Sequence, residues 1–140
     1  MFKTILVPLD SAQLSERVMQ AVQSLQLSPA TQVILGHVIP TYDQGLEQPA
    51  DLPSTTEPPV DLYRHIEDQL QGYRTSLACA SQIEIVTGDP AEEIIRLAHI
   101  HHADLIVIGS RGLTGVTRIL EGSVSNQVVS EAPCSVMVVR

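Results

Sequence analysis

Apolar residues recur along this chain with two alternating periods. Phe2–Leu9 is almost continuously apolar, running through Ile5, Leu6 and Val7 before Pro8, Leu9 and Asp10 close it. A run apolar on both faces suits a central parallel strand, which puts Asp10 at a strand's carboxyl end. Leu14, Val18, Ala21, Val22 and Leu25 then repeat at helical spacing. They predict an amphipathic helix over 12–27, capped by Asp10 or Ser11 and stopped at Ser28-Pro29. Gln32–Ile39 reads as a second buried strand. Leu62, Ile66, Leu70, Tyr73 and Leu77 return to helical spacing over 61–79, and Gln82–Thr87 reads as a third strand. Gly88-Asp89-Pro90 is a turn into a helix, with Asp89 as N-cap, Pro90 at the first helical position, and Ile94, Ile95, Leu97 and Ala98 on its apolar side. A fourth strand over Ala103–Ile108, a helix over 123–130 and a last strand over Ser135–Val139 complete the chain.

This alternation of strand and helix predicts a single α/β domain over residues 1–140: a doubly wound parallel sheet of five strands, with helices on both faces and right-handed crossovers. One stretch breaks the rhythm. Between Pro40 and Val60 lie Pro49, Pro53, Pro58 and Pro59 with Asp43, Glu47, Asp51 and Glu57. Unstructured connections of that length inside a domain are functional or disordered. Residues 41–59 therefore read as a mobile insertion, and their exit from the second strand makes them a candidate lid.

Composition narrows the class. The formal charge of −8 argues against nucleic acid or an anionic membrane as a general partner, because both need a basic face. No apolar run approaches the ~18 residues that span a bilayer, and Ile5-Leu6-Val7 is too short for a secretory signal. Cys79 and Cys134 form no C-x-x-C and read as separate thiols in a reducing compartment, so a cytoplasmic location is expected. With few aromatics, Val, Ile and Leu must fill the core.

The chemistry concentrates in Val107–Ser125. The apolar run Leu105–Ile108 stops at Gly109, glycines follow at 112, 115 and 122, and hydroxyls stand at Ser110, Thr114, Thr117, Ser123 and Ser125. Glycine permits close backbone approach, and the free N–H groups at the next helix's start favour an anion. Spacing alone leaves a phosphate loop and an ordinary surface loop both open. There is no P-loop lysine; Lys3 is the single lysine, so positive charge near the loop comes from Arg111 and Arg118. Asp10 is a candidate for Mg²⁺, for a ribose hydroxyl, or only for a helix cap. His99 and His102, spaced i, i+3, are placed to share a ligand on one helix, although no carboxylate or thiol completes a set. No nucleophile has an identifiable base. A phosphoacceptor receiver domain is excluded because Asp10 stands alone, and an FMN-binding fold because Asp10–Leu14 lacks a hydroxyl-rich phosphate loop.

Gly109-x-x-Gly112, nine residues, then Gly122-Ser123 resembles the nucleotide-binding pattern of the universal stress protein family. The resemblance extends to Lys3–Asp10, Gly88–Ile95, Ala103–Gly109 and Ala132–Arg140, in the family's order. Two positions depart from it: Ser11-Ala12 replaces a usual Gly-Ser, and Glu121 stands where an apolar residue is common, beside the phosphate loop. The resemblance implies strand order 3-2-1-4-5 and a site for ATP, or another adenine nucleotide, with Mg²⁺ at Asp10. That site would comprise Pro8, Leu9, Asp10, Val38, Gly109, Ser110, Arg111, Gly112, Gly122, Ser123, Val124 and Ser125, with backbone near Val38 facing adenine. It further implies a homodimer through Ser135–Arg140, an apolar segment expected at a sheet edge. The function implied is a nucleotide-binding regulatory switch, at most a slow ATPase, acting on unidentified protein partners. The alternative is a member without nucleotide that acts through protein contacts alone.

Overall fold

The computed structural model describes residues 2–10, 12–40, 60–110 and 123–140. Along them run β1 (Thr4–Pro8), α1 (Ala12–Gln23), β2 (Gln32–Pro40), α2 (Val60–Thr75), β3 (Ala80–Gly88), α3 (Pro90–Ile100), β4 (Leu105–Gly109), α4 (Ser123–Glu131) and β5 (Ser135–Val139). The strands form one parallel sheet ordered β3-β2-β1-β4-β5, as the family resemblance implies. The proline-rich stretch 41–59 lies outside the described residues.

Period-two alternation sorts each strand onto two faces. Ile5, Val7 and Leu9 of the β1 segment, Val33 and Leu35 of β2, and Leu105 and Val107 of β4 meet Val18, Met19 and Val22 of α1 and Ile66 and Leu70 of α2. On the opposite face Leu6, Ile34, Ile106 and Ile108 meet Ile94, Leu97 and Ala98 of α3 and Val128 of α4. The innermost strands are buried on both sides, and the largest fully buried side chains among the described residues are all Ile, Leu or Val. Cys79 packs against the first face and Cys134 against the second, so the sheet separates the two free thiols.

Where the elements end differs from the hydrophobic spacing at three places. The first helix stops at Gln23, not residue 27, because Gln26 takes a left-handed φ of 53°. Leu25 still packs on the core from the turn that follows. The second helix stops at Thr75, not near Cys79. There the Thr75 and Ser76 hydroxyls donate to the carbonyls of Gly72 and Tyr73, at 2.8 and 2.6 Å, competing with the helical ladder. β4 begins only at Leu105, because the residue before it has another task. The Asp104 carboxylate accepts from the N–H of Lys3 at 2.8 Å and of Thr4 at 3.0 Å, tying the starts of β1 and β4 together. These bonds hold the Asp104 pKa below its usual value despite some burial. By contrast, the turn into α3 forms as the sequence predicts: Asp89 caps it by accepting from the Glu92 N–H at 3.1 Å, and Pro90 opens the helix. Among the described residues no helix is long and apolar enough to cross a membrane.

Candidate nucleotide site at the strand ends

In an open parallel sheet the winding direction reverses at one point, and the crevice beyond the strand ends there is the usual ligand site. Here the reversal lies between β1 and β4. Asp10 follows β1 and Gly109 ends β4, so two features found separately in the sequence border one crevice.

The end of β1 is built from three hydrogen bonds. The Leu9 N–H donates to the Gly36 carbonyl of β2 at 2.7 Å, the last rung of that ladder. The Leu9 carbonyl then lies 2.8 Å from Nδ1 of His37. A carbonyl only accepts, so Nδ1 carries the proton and Nε2 of the neutral ring keeps its lone pair. Burial lowers the His37 pKa and so favours that neutral ring, while the bond to the Leu9 carbonyl opposes the shift. In a ladder one rung longer the Leu9 carbonyl would face the Val38 N–H; the imidazole occupies that role. Finally, the Asp10 N–H donates to Ser15 Oγ on α1 at 3.2 Å. Burial raises the Asp10 pKa to about 6, because the charged carboxylate loses water.

The end of β4 is shaped by packing. Gly109 pairs with Val139 of β5, and the Ser110 N–H donates to the Val139 carbonyl at 2.8 Å. A Cβ at Gly109 would stand 2.7 Å from Cγ of Leu14 on α1 and meet its Cδ2 as well. Leu14 of the covering helix thus occupies the space a side chain at 109 would need, a reason for glycine that the loop pattern does not reveal. Pro8, Leu9, Asp10, Ser15 and Gly109 line a residual gap of only about 10 Å³, room for at most one water. A larger hollow, about 500 Å³, lies off the ends of β2 and β3, between Ile39, Thr87, Tyr63 and Arg96. It contains none of the expected site residues, and Arg96 is already paired with Glu93 at 2.7 Å. The expected site residues thus border the smaller of these two hollows.

The structure brings Pro8, Leu9, Asp10 and Gly109 around one gap. Val38 lies on β2, 4% exposed and paired with Val86. Ser123 opens α4, Val124 is half-buried and Ser125 is buried. Arg111, Gly112 and Gly122 lie outside the described residues. The histidine pairing needs correction. His99 is in the last turn of α3, but that helix ends at Ile100 and His102 takes a left-handed φ of 51°, so the two do not share a helix. His101 caps the helix instead, with Nε2 3.1 Å from Glu84 Oε1 and Nδ1 3.3 Å from Gln82 Nε2. Among the described residues no three His, Cys, Asp or Glu side chains are grouped to hold a metal ion. Sequence reasoning missed His37 and Ser15. The signal was present in both: a lone polar residue within the apolar run of β2, and a serine beside Leu14 on the apolar side of α1.

Residues 1–140 match the model of the universal stress protein family. Universal stress protein MJ0577 of Methanocaldococcus jannaschii is 30% identical over 158 residues, covering 100% of this chain and 96% of its own. The solved structure of that protein superposes with a TM-score of 0.78 over 99% of this chain and 96% of the other. Universal stress protein UspA from Lactobacillus plantarum gives 0.73 at 26% identity, covering 99% and 97%. A universal stress protein solved in complex with cAMP gives 0.67 at 22% identity over 99% and 97%, a likeness of fold alone. A family model matched from the first residue to the last, with relatives aligned over nearly their full length, assigns the chain: it belongs to the universal stress protein family.

Proposed function

We propose that this chain is a nucleotide-dependent regulatory module. It takes an adenine nucleotide, ATP with Mg²⁺, in the crevice between β1 and β4, and works as a homodimer joined along β5. The observation that carries this reading is the convergence of Asp10 and Gly109 at the sheet's single reversal point. A family member of the same fold in complex with cAMP supports the adenine nucleotide as the ligand class. Asp10, a lone carboxylate, fits Mg²⁺ that keeps waters and phosphate oxygens as its other ligands. In this reading Gly109, Ser110, Arg111, Gly112, Gly122, Ser123, Val124 and Ser125 hold the phosphates, with the start of α4 supplying N–H groups. Pro8, Leu9 and Val38 flank the base and sugar. In this reading binding, rather than turnover, is the output.

The test is Gly122→Val, which puts a side chain where a phosphate would approach the first turn of α4. Calorimetric titration with Mg-ATP should show binding by the parent and none by the variant, with circular dichroism unchanged. A folded variant that binds as tightly as the parent moves the phosphates elsewhere. Absence of nucleotide from the denatured parent, and of any titration heat, favours the reading through protein contacts alone.

The dimer has its own test. β5 is a sheet edge, paired with β4 on one side only among the described residues, and Val138 on it is 41% exposed; such an open edge suits a second copy. Val138→Lys should give a folded monomer by sedimentation. An unchanged dimer would place the interface on another face.

A further inference from the structure

The Leu9–Asp10 peptide unit, which joins β1 to the candidate site, is held at both of its polar ends by side chains. Its carbonyl accepts from His37 Nδ1 at 2.8 Å, and its N–H donates to Ser15 Oγ at 3.2 Å. The two holders come from different layers, β2 within the sheet and α1 above it. Ser15 is 3% exposed, so its hydroxyl is itself shielded from water. A peptide just past the end of a ladder would otherwise pivot about its flanking dihedrals, because backbone partners no longer fix its plane. Holding both ends sets that plane, and the plane fixes where the Asp10 Cα sits and which way its N–Cα bond points, the base from which its side chain leaves the chain.

We infer that His37 and Ser15 are positioning residues: together they clamp the Leu9–Asp10 peptide and thereby aim the Asp10 carboxylate into the crevice between β1 and β4. The inference rests on the functional reading above for what the carboxylate meets, though not for the clamp. His37 acts through Asp10 and does not touch the ligand. A side chain that offers an N–H at the position of Nδ1 should replace it. Asparagine does, since its Nδ2 sits the same number of bonds from Cα.

Two measurements on the full chain decide this. The first needs no ligand. Amide hydrogen exchange by NMR should show the Asp10 N–H protected in the parent. It should exchange on the order of tenfold faster in Ser15→Ala and His37→Leu, and close to the parent rate in His37→Asn, with Leu6 unchanged in all three. Unchanged Asp10 exchange in both loss variants overturns the clamp. The second is titration with Mg-ATP. His37→Leu should weaken binding about tenfold and His37→Asn should restore most of it. In an Asp10→Ala background His37→Leu should cost less than about twofold, since a residue acting through Asp10 has nothing left to aim. An equal loss with and without Asp10 overturns the positioning role. A parent that does not bind Mg-ATP overturns the functional reading, and the ligand half of this inference with it; the clamp is still judged by exchange.

Discussion

Gly109→Ala should destabilise the fold by about 1–3 kcal/mol, the usual cost of forcing an extra carbon into a packed site. The new methyl would lie 2.7 Å from Cγ of Leu14, so that side chain, or α1 with it, must shift to admit it. Urea unfolding gives the number. Two companions make the cause identifiable. Gly36→Ala, in the adjacent strand β2, meets nothing closer than 3.7 Å and should change stability by less than about 1 kcal/mol. Leu14→Ala combined with Gly109→Ala should lose less than the two single losses added, because the cavity left by one accepts the methyl of the other. Strictly additive losses would mean that the glycine is there for some reason other than α1.

Asp10→Asn should do the opposite and make the protein more stable at pH 8. Burial raises the Asp10 pKa from 3.8 to about 6, so the ionised carboxylate opposes folding at neutral pH. A shift of that size corresponds to about 3 kcal/mol in a fully dry site; discounted for partial exposure, about 1–2 kcal/mol is expected. The sign follows from linkage. The folded pKa lies above the unfolded one, so the proton's contribution to stability is complete below pH 3.8 and is lost as pH rises through about 6. The advantage of the asparagine variant should therefore be full above about pH 6 and fade between there and pH 3.8. His37 titrates in the opposite sense: its pKa is lowered by burial, so its contribution is full above 6.5 and falls as the ring is protonated. Comparing variant with parent at each pH cancels that background. A variant less stable than the parent at pH 8 would mean that the carboxylate is better solvated than its surroundings imply. If the gain in stability comes with loss of Mg-ATP binding, Asp10 is a residue kept for its ligand at a cost to the fold.

Much of the architecture was legible because its signals are local. Unbroken apolar runs marked the buried strands, and Asp89-Pro90 marked a helix start. Strand order was less accessible to pattern and came through the family resemblance. Helix ends were misjudged where the decisive event was a backbone choice, Gln26 turning left-handed, or a hydroxyl bonding back to its own helix at Thr75 and Ser76. At the site, Asp10 and Gly109 stood out because a charge and a glycine at the end of an apolar run are conspicuous. His37 and Ser15 did not, since each acts on a peptide group distant in sequence or across a turn, and no spacing rule encodes that contact. For Gly109 the residue was found and the physical cause was not: the loop suggested an approaching phosphate, while the geometry adds an approaching leucine.

The reversal of strand order also divides the domain for folding. β1 meets β2 through five register pairs but β4 through only two. The sheet is thus two blocks, β3-β2-β1 and β4-β5, meeting at a narrow seam. The amino end of that seam is fastened by Asp104 to Lys3 and Thr4, partners 101 and 100 residues away along the chain. Closing so large a loop is entropically slow, so the seam should be the last part to zip and the first to part in a sub-global opening. A nucleotide bound between β1 and β4 would fasten the seam's carboxyl end. It would act less as a passenger on a finished scaffold than as a second rivet, coupling ligand occupancy to how often the two blocks come apart.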